Sequence, residues 1–125
     1  MIYLNNEEYK VKFYLNPRNG KSDVRRYIYD LEQKERNKVL KYIEFLRINN
    51  GILDEPYSKH ISGKIRELRV DFSSNRHRIF YFTFLNKNII LLLVFLKKTT
   101  KTPINEINRA EQNYNYVINN KQIYE

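Results

Sequence analysis

Residues 65–98, IRELRVDFSSNRHRIFYFTFLNKNIILLLVFLKK, decide the fold, because they predict three consecutive antiparallel strands joined by two short turns. The polar clusters at 73–75 and 86–88 separate three runs that are rich in aromatic and β-branched residues, as turns separate strands. The last run, residues 89–96, is apolar throughout, which predicts a strand buried on both faces. We expect the rest of the chain to pack around this meander.

The first strand of the meander carries charged side chains on one face. Because side chains of a strand point alternately to opposite faces, residues 65–72 separate into two sets. Leu68 and Val70 belong to the apolar set with Arg66 and Phe72. The other set places a carboxylate next to an arginine: Ile65, Glu67, Arg69 and Asp71.

Length and composition limit the class of protein. A chain of 125 residues with 42% hydrophobic and 30% charged residues predicts one globular domain over 1–125. Cysteine is absent, which excludes a disulfide framework and a thiolate zinc site. The N-terminus lacks the pattern of a secretory signal, and the longest apolar run is far shorter than a membrane span. We therefore expect a cytoplasmic protein.

Positive charge is concentrated on the meander. The net charge is +9, and residues 59–101 contribute +8 of it, since only Glu67 and Asp71 oppose ten cationic side chains. Such a field favours a polyanionic partner, most commonly nucleic acid. The alternative is that the lysines and arginines only keep the surface solvated. The ten are Lys59, Lys64, Arg66, Arg69, Arg76, Arg78, Lys87, Lys97, Lys98 and Lys101.

The segments before the meander predict a strand and a helical hairpin. Residues 9–15 alternate aromatic or apolar side chains with lysine, which is typical of a strand. Ser22 suits the N-cap of a first helix, and apolar residues recur at helical spacing in residues 33–49, a second helix that ends before Gly51. Residues 52–63 have no apolar period and predict a loop.

After the meander, the sequence predicts one more helix and a tail. Thr102 and Pro103 mark a helix start, with proline at the first helical position, and residues 119–125 predict a frayed end. The element order β-α-α-β-β-β-α indicates an α+β fold with a mainly antiparallel sheet. We expect the last helix to cover the sheet surface that the helical hairpin leaves bare.

Three blocks of the chain resemble a known family. They read GKIRELR at 63–69, RHRIFYF at 76–82 and LLLVFLKKTTKTP at 91–103. The spaced motifs E-L-R, R-I-F-Y, F-x-K-K-T and K-T-P, followed by an acidic helix, are similar to the phage-derived Gp49-like, HigB-type branch of the RelE/ParE toxin superfamily. The resemblance extends over residues 9–118, and the family's RelE-like fold agrees with the predicted element order.

The resemblance implies a toxin of a type II toxin–antitoxin system. Such a toxin is a ribosome-dependent mRNA endonuclease, and it uses the ribose 2′-OH as nucleophile, so no metal or cofactor is required. The implied partners are the ribosome, its mRNA and a helix-turn-helix antitoxin of the HigA type. A heterotetramer is one toxin–antitoxin assembly that the resemblance allows.

The candidate catalytic residues follow from the chemistry of that cleavage, which needs a proton acceptor, cations for the phosphorane-like transition state and a donor to the departing 5′-oxygen. Glu67 is the predicted acceptor, and Arg69 and Arg78 are the predicted cations, because a guanidinium can hold two phosphate oxygens. Lys97 and Lys98, at the end of the last strand, are candidates to position the phosphate or supply the proton, and Lys98 is the predicted fourth catalytic residue. Residues predicted to bind RNA are Lys59, His60, Lys64, Arg66, Arg76, Lys97 and Lys101.

Several alternatives stay open from the sequence. In the first alternative, Glu67 is only the ion-pair partner of an arginine and has no catalytic role. His77 should lie on the opposite strand face from Arg78, which indicates a packing role. Two distant histidines without cysteine do not favour a metal site. The protein as a whole is alternatively a non-catalytic nucleic-acid-binding or phage accessory protein, or a ParE-like toxin that targets gyrase.

Overall fold

The computed structural model describes residues 8–125, and within them the chain forms five strands and four helices. The strands make one mixed sheet in the order β1-β5-β4-β3-β2, with β1 parallel to β5 and the other pairs antiparallel. In chain order the elements are β1 Lys10–Phe13, α1 Asp23–Tyr29, α2 Gln33–Ile48, β2 Ser58–Ser62, β3 Ile65–Phe72, β4 Asn75–Phe84, β5 Asn88–Leu96, α3 Ile104–Ile118 and α4 Lys121–Tyr124.

The predicted meander is confirmed as strands β3, β4 and β5. Its register pairs Arg69 with Arg78 and Arg78 with Phe95. One irregularity occurs opposite Phe80 and Tyr81, where β5 has one extra residue, Leu92. The strand predicted near the N-terminus is also confirmed, as the edge strand β1.

The predicted loop at residues 52–63 is wrong in its last part, because Ser58–Ser62 forms the edge strand β2. This SKHIS segment has no strong alternation, and it gains its order from pairing with β3, as in the Ser58–Leu68 and Lys59–Glu67 pairs. Polar and charged side chains are common on edge strands, which explains why composition alone indicated a loop.

The helix ends follow local chemistry. The Ser22 hydroxyl accepts a hydrogen bond from the Arg25 amide at 3.0 Å, as expected of an N-cap. After α2, Asn50 and Gly51 both take left-handed conformations, with φ of 60° and 78°. A Cβ on Gly51 would lie 2.7 Å from the Thr83 hydroxyl, so glycine is also required by packing. Pro103 is the N-cap of α3 and precedes the helix by one residue.

The sheet separates two apolar cores, as expected if the last helix covers the surface opposite the hairpin. We call the side that packs against α1 and α2 the back face; Leu68, Val70 and Ile79 lie there. The side that packs against α3 is the front face. Its buried side chains include Phe80, Phe82, Ile90, Ala110 and Val117.

The predicted frayed tail is wrong, because residues 121–124 form the short helix α4 and Tyr124 is buried. The Tyr124 hydroxyl accepts a hydrogen bond from the Leu15 amide at 2.9 Å, and the Lys12 ammonium donates to the Tyr124 carbonyl at 3.2 Å. These contacts join the C-terminal residues to the edge strand β1. Across residues 8–125, no helix has the length and apolar character needed to cross a membrane.

Candidate functional site

The strand register brings the predicted catalytic arginines together on the front face. Arg69 on β3 lies directly opposite Arg78 on β4. Two like charges in such a pair repel each other, and each arginine here has a carboxylate. Arg69 Nε donates to Glu67 Oε1 at 3.1 Å, and Arg78 Nη1 donates to Asp71 Oδ1 at 2.8 Å. The period of two along β3 therefore places two ion pairs side by side.

Glu67 is the buried carboxylate of this cluster. Its side chain is 0% exposed, and a buried charge is costly unless it is paired. Arg69 supplies the charge partner, and the Thr102 hydroxyl lies 3.5 Å from Glu67 Oε2. Thr102 belongs to the segment between β5 and α3, so residues 97–103 pass over the carboxylate.

Arg78 is buried, whereas the carboxylate that it binds is accessible. Arg78 is 6% exposed, and the Asp71 side chain is 60% exposed. Arg78 Nη1 also donates to the His77 carbonyl at 3.0 Å. Within residues 8–125, Arg78 Nε is buried and has no hydrogen-bond partner. The guanidinium therefore keeps a donor that no protein acceptor satisfies.

Lys97, and not Lys98, belongs to this charge cluster. Burial lowers the pKa of the Lys97 ammonium, Glu67 opposes that shift, and the nearby Arg78, Arg69 and Arg76 reinforce it. The Lys97 amide donates to the Arg76 carbonyl at 2.8 Å, which continues the β4–β5 pairing past the end of β5. Lys98 is exposed and has no polar contact in the described part of the chain.

Four of the residues predicted to bind RNA lie at accessible positions. Lys59 pairs with Glu67, and Arg76 pairs with Asp71, so both share the front face. Lys64 lies in the turn between β2 and β3, and Lys101 lies in the segment before α3. All four side chains belong to exposed residues.

His60 and Arg66 do not join the cluster: Arg66 lies on the strand face opposite Glu67, as the alternation of β3 predicts, and His60 lies on that same face. They pair with each other one residue away from Lys59 and Glu67, so they lie on the back face. Arg66 Nε donates to the Ser58 hydroxyl at 3.0 Å, and its Nη2 donates to the Leu53 carbonyl at 3.4 Å. His60 Nε2 hydrogen-bonds with the Gly63 carbonyl at 2.7 Å.

Sequence reasoning missed two members of the cluster, Asp71 and Thr102. Asp71 shares the alternating face of Glu67 and Arg69, and that pattern could have found it. Thr102 was interpreted only as a helix start. Its position beside Glu67 depends on the path of residues 97–103 over the sheet, which no local pattern indicates.

His77 lies on the back face, as predicted, within a buried polar network. The Tyr27 hydroxyl hydrogen-bonds with His77 Nδ1 at 2.8 Å, while Glu35 bonds His77 Nε2 and accepts from Asn75 at 2.9 Å. Burial, with the Glu35 charge, raises the pKa of Tyr27 to about 12. This network joins α1 and α2 to β4. Across residues 8–125, no group of three or more metal-ligating side chains occurs.

No curated protein matches the chain. The family model described as phage derived protein Gp49-like (DUF891) matches residues 26–115, which include α2, the whole meander and most of α3. The site residues that we call the front-face cluster all lie inside that match: Glu67, Arg69, Asp71, Arg78, Lys97 and Thr102. The chain therefore belongs to the phage-derived Gp49-like family, which is the family of RelE/HigB-like toxins.

Proposed function

We propose that this protein is the toxin of a type II toxin–antitoxin system and an endoribonuclease that cuts mRNA on the ribosome. Family membership supports the toxin assignment. The observation that carries the chemistry is the front-face cluster, in which cations surround two carboxylates of unequal exposure. Its members are Glu67, Arg69, Asp71, Arg78, Lys97 and Thr102.

The proposed reaction uses the RNA's own nucleophile. The ribose 2′-oxygen loses its proton and attacks the adjacent phosphorus, and the bond from phosphorus to the 5′-oxygen breaks. The 5′-oxygen takes up a proton, which leaves a 2′,3′-cyclic phosphate on the upstream fragment. The protein must therefore accept one proton, donate another and stabilise negative charge on the phosphate.

We assign the proton acceptor to Asp71, in place of the sequence-based assignment to Glu67. A general base must come within hydrogen-bond reach of the 2′-OH. Glu67 is fully buried beneath residues 97–103, whereas Asp71 is accessible on the same face. Glu67 then acts as a positioning residue, because its carboxylate fixes Arg69 and faces Lys97.

Arg78 and Arg69 bind the reacting phosphate in this proposal. A phosphate oxygen that replaces the Asp71 carboxylate on Arg78 would free Asp71 to accept the 2′-OH proton.

Lys97 is the proposed proton donor to the 5′-oxygen, a role assigned to Lys98 or Lys97 from the sequence. A general acid works best when its pKa approaches the working pH, and the direction of the Lys97 shift is downward. Lys98 and the exposed Lys59, Arg76 and Lys101 would bind the RNA backbone outside the reacting phosphate. Such contacts position the nucleic acid without selecting sequence.

The proposed partners follow from the same assignment. The enzyme acts in the cytoplasm on ribosome-bound mRNA, and a helix-turn-helix antitoxin of the HigA type holds it silent, in an assembly for which a heterotetramer is the working model. A net charge of +9 supports association with ribosomal RNA.

A reconstituted translation reaction tests this function. The purified protein is added to mRNA on programmed ribosomes and to the same mRNA alone, and new ends are mapped by primer extension. We expect cleavage on the ribosome, with cyclic-phosphate ends, and little cleavage of free RNA. RNA binding without cleavage in both reactions would instead establish a nucleic-acid-binding module.

A further inference from the structure

A cleft on the β1 edge of the sheet is separate from the front-face cluster. Its volume is about 750 Å³. Three strand spacings, about 14 Å in total, separate β1 from β3, which carries Glu67. The cleft is lined by parts of β1, the turn before α1, α1 and α4. Most of the lining residues, including Lys12, Phe13, Lys21, Arg25 and Ile123, lie outside the segment matched by the family model.

The outer side of β1 has backbone groups available for pairing. The Lys10 amide donates to the Lys87 carbonyl and the Tyr14 amide donates to the Leu91 carbonyl, both at 2.9 Å. In a parallel pair, the residues that bond the neighbouring strand alternate with residues whose amide and carbonyl point away. The backbone amide and carbonyl groups of Val11 and Phe13 therefore point away from β5. Within residues 8–125, neither of these two amides has a hydrogen-bond partner. The next outward amide, Leu15, is already bonded to Tyr124.

The cleft combines cations with exposed apolar side chains. Lys21, Arg25 and Arg26 line it and make no ion pair within the described residues, and Asp23 is the acidic side chain in the lining. Arg25 instead lies over the Tyr29 ring at 5.6 Å. Tyr29, Leu15 and Ile123 are 51%, 37% and 50% exposed, which is unusual for large apolar residues that share one cleft.

We propose that this cleft binds an extended acidic segment of another protein, which pairs with the outer edge of β1. An added strand would supply partners for the Val11 and Phe13 backbone groups. Its alternate side chains would lie against Leu15, Tyr29 and Ile123, and its carboxylates would face the cations. RNA fits less well, because it lacks the regular repeat of backbone donors and acceptors that pairs with a strand edge. This inference does not depend on the proposed enzymatic function.

Fluorescence anisotropy with synthetic peptides tests the proposal on the full-length protein. The probe is a labelled peptide in which glutamate alternates with leucine. Two matched peptides serve as controls: one has lysine in place of glutamate, and one is N-methylated at alternate backbone amides so that it cannot pair with a strand. We expect binding of the acidic peptide and at least roughly tenfold weaker binding of both controls.

Two charge-reversal variants locate the binding. The double substitution Arg25→Glu and Arg26→Glu should weaken the acidic peptide at least roughly tenfold. The matched change Lys34→Glu and Lys41→Glu, at exposed positions of α2, should leave its affinity nearly unchanged. Circular dichroism establishes that both variants are folded, and Ile123→Ser provides a second, uncharged change in the cleft with the same expected loss.

The proposal would be overturned by equal binding of the acidic and N-methylated peptides, or by equal losses in the two charge-reversal variants. It would also be overturned if labelled polyuridylate bound with the same dependence on Arg25 and Arg26 and displaced the peptide. That last result would make the cleft part of an RNA-binding surface.

Discussion

Arg78 and Asp71 form an ion pair in which the cation is buried and the carboxylate is 60% exposed, with 2.8 Å between Nη1 and Oδ1. The neighbouring pair has the reverse arrangement, because Glu67 is fully buried and Arg69 is 25% exposed. One carboxylate is therefore accessible to a ligand and the other is not. This difference supports the proposed reacting role of Asp71 and the proposed positioning role of Glu67.

Replacing Arg78 should remove most of the proposed activity. Without its guanidinium the transition-state charge loses a principal donor, so Arg78→Ala should cut ribosome-dependent cleavage by about 10²–10³-fold. Single-turnover rates of mRNA cleavage measure the effect. Lys41→Ala, at an exposed position on α2, is the control and should cleave at the wild-type rate. Near wild-type cleavage by a folded Arg78→Ala protein would exclude Arg78 from the mechanism.

Glu67→Gln should lower stability, because the buried charge partner of Arg69 is lost while its shape is retained. Hydrogen bonds to charged groups contribute about 1.5–3 kcal/mol, and we expect a loss of that order in the free energy of unfolding, measured by urea denaturation. Glu44→Gln is the comparison, since Glu44 forms an exposed ion pair with Arg47 at 2.6 Å. Equal losses in the free energy of unfolding for the two substitutions would show that burial does not strengthen the Glu67–Arg69 ion pair.

The same Glu67→Gln substitution should change the titration of Lys97. Glu67 raises the Lys97 pKa, while burial and three arginines lower it. Removal of the carboxylate should therefore move the Lys97 pKa further down from its usual range. NMR titration of the lysine side chain measures this shift, with exposed Lys41 as the internal reference. An upward shift, or none, would contradict the electrostatic arrangement described for this cluster.

The back-face network around Glu35 and His77 should make part of the free energy of unfolding depend on pH in the acidic range. Burial alone would raise the Glu35 pKa, but hydrogen bonds from His77 and Asn75, with the charge of His77, lower it overall. Because the Glu35 pKa is lower in the folded protein than the unfolded-state pKa of 4.5, ionised Glu35 stabilises the fold at pH values above 4.5. This stabilisation is lost as the pH falls through the folded-state pKa. Urea denaturation at several acidic pH values should therefore show a steeper loss for wild type than for Glu35→Gln. Parallel pH profiles would exclude this linkage.

The sequence predicted the parts of the structure that follow local periodicity. Alternation along β3 placed Glu67 with Arg69, and the apolar run of β5 indicated a strand buried on both faces. The strand β2 and helix α4 were missed, since the first is ordered by pairing with β3 and the second by burial of Tyr124. Both depend on contacts between distant segments.

The same contrast, between local periodicity and contacts of distant segments, explains which site residues the sequence predicted. Strand period correctly separated Arg78 from His77 and Arg66 from Glu67, but it was not applied to residues 58–62, so the position of His60 on the back face was not predicted. The choice between Lys97 and Lys98 depends on the backbone after β5, where the Lys97 amide continues the pairing with Arg76. Adjacent lysines give no local indication of which one faces the cluster.

Mapping of mRNA 5′ ends after induced expression tests the central claim most directly. Cells that express the wild-type chain, Arg78→Ala or Lys41→Ala are compared at equal protein levels. We predict new ends within translated regions for wild type and Lys41→Ala, and loss of those ends for Arg78→Ala. Unchanged mRNA ends in cells that express the folded wild-type protein, or equal cleavage by Arg78→Ala, would contradict ribosome-dependent cleavage by the front-face cluster.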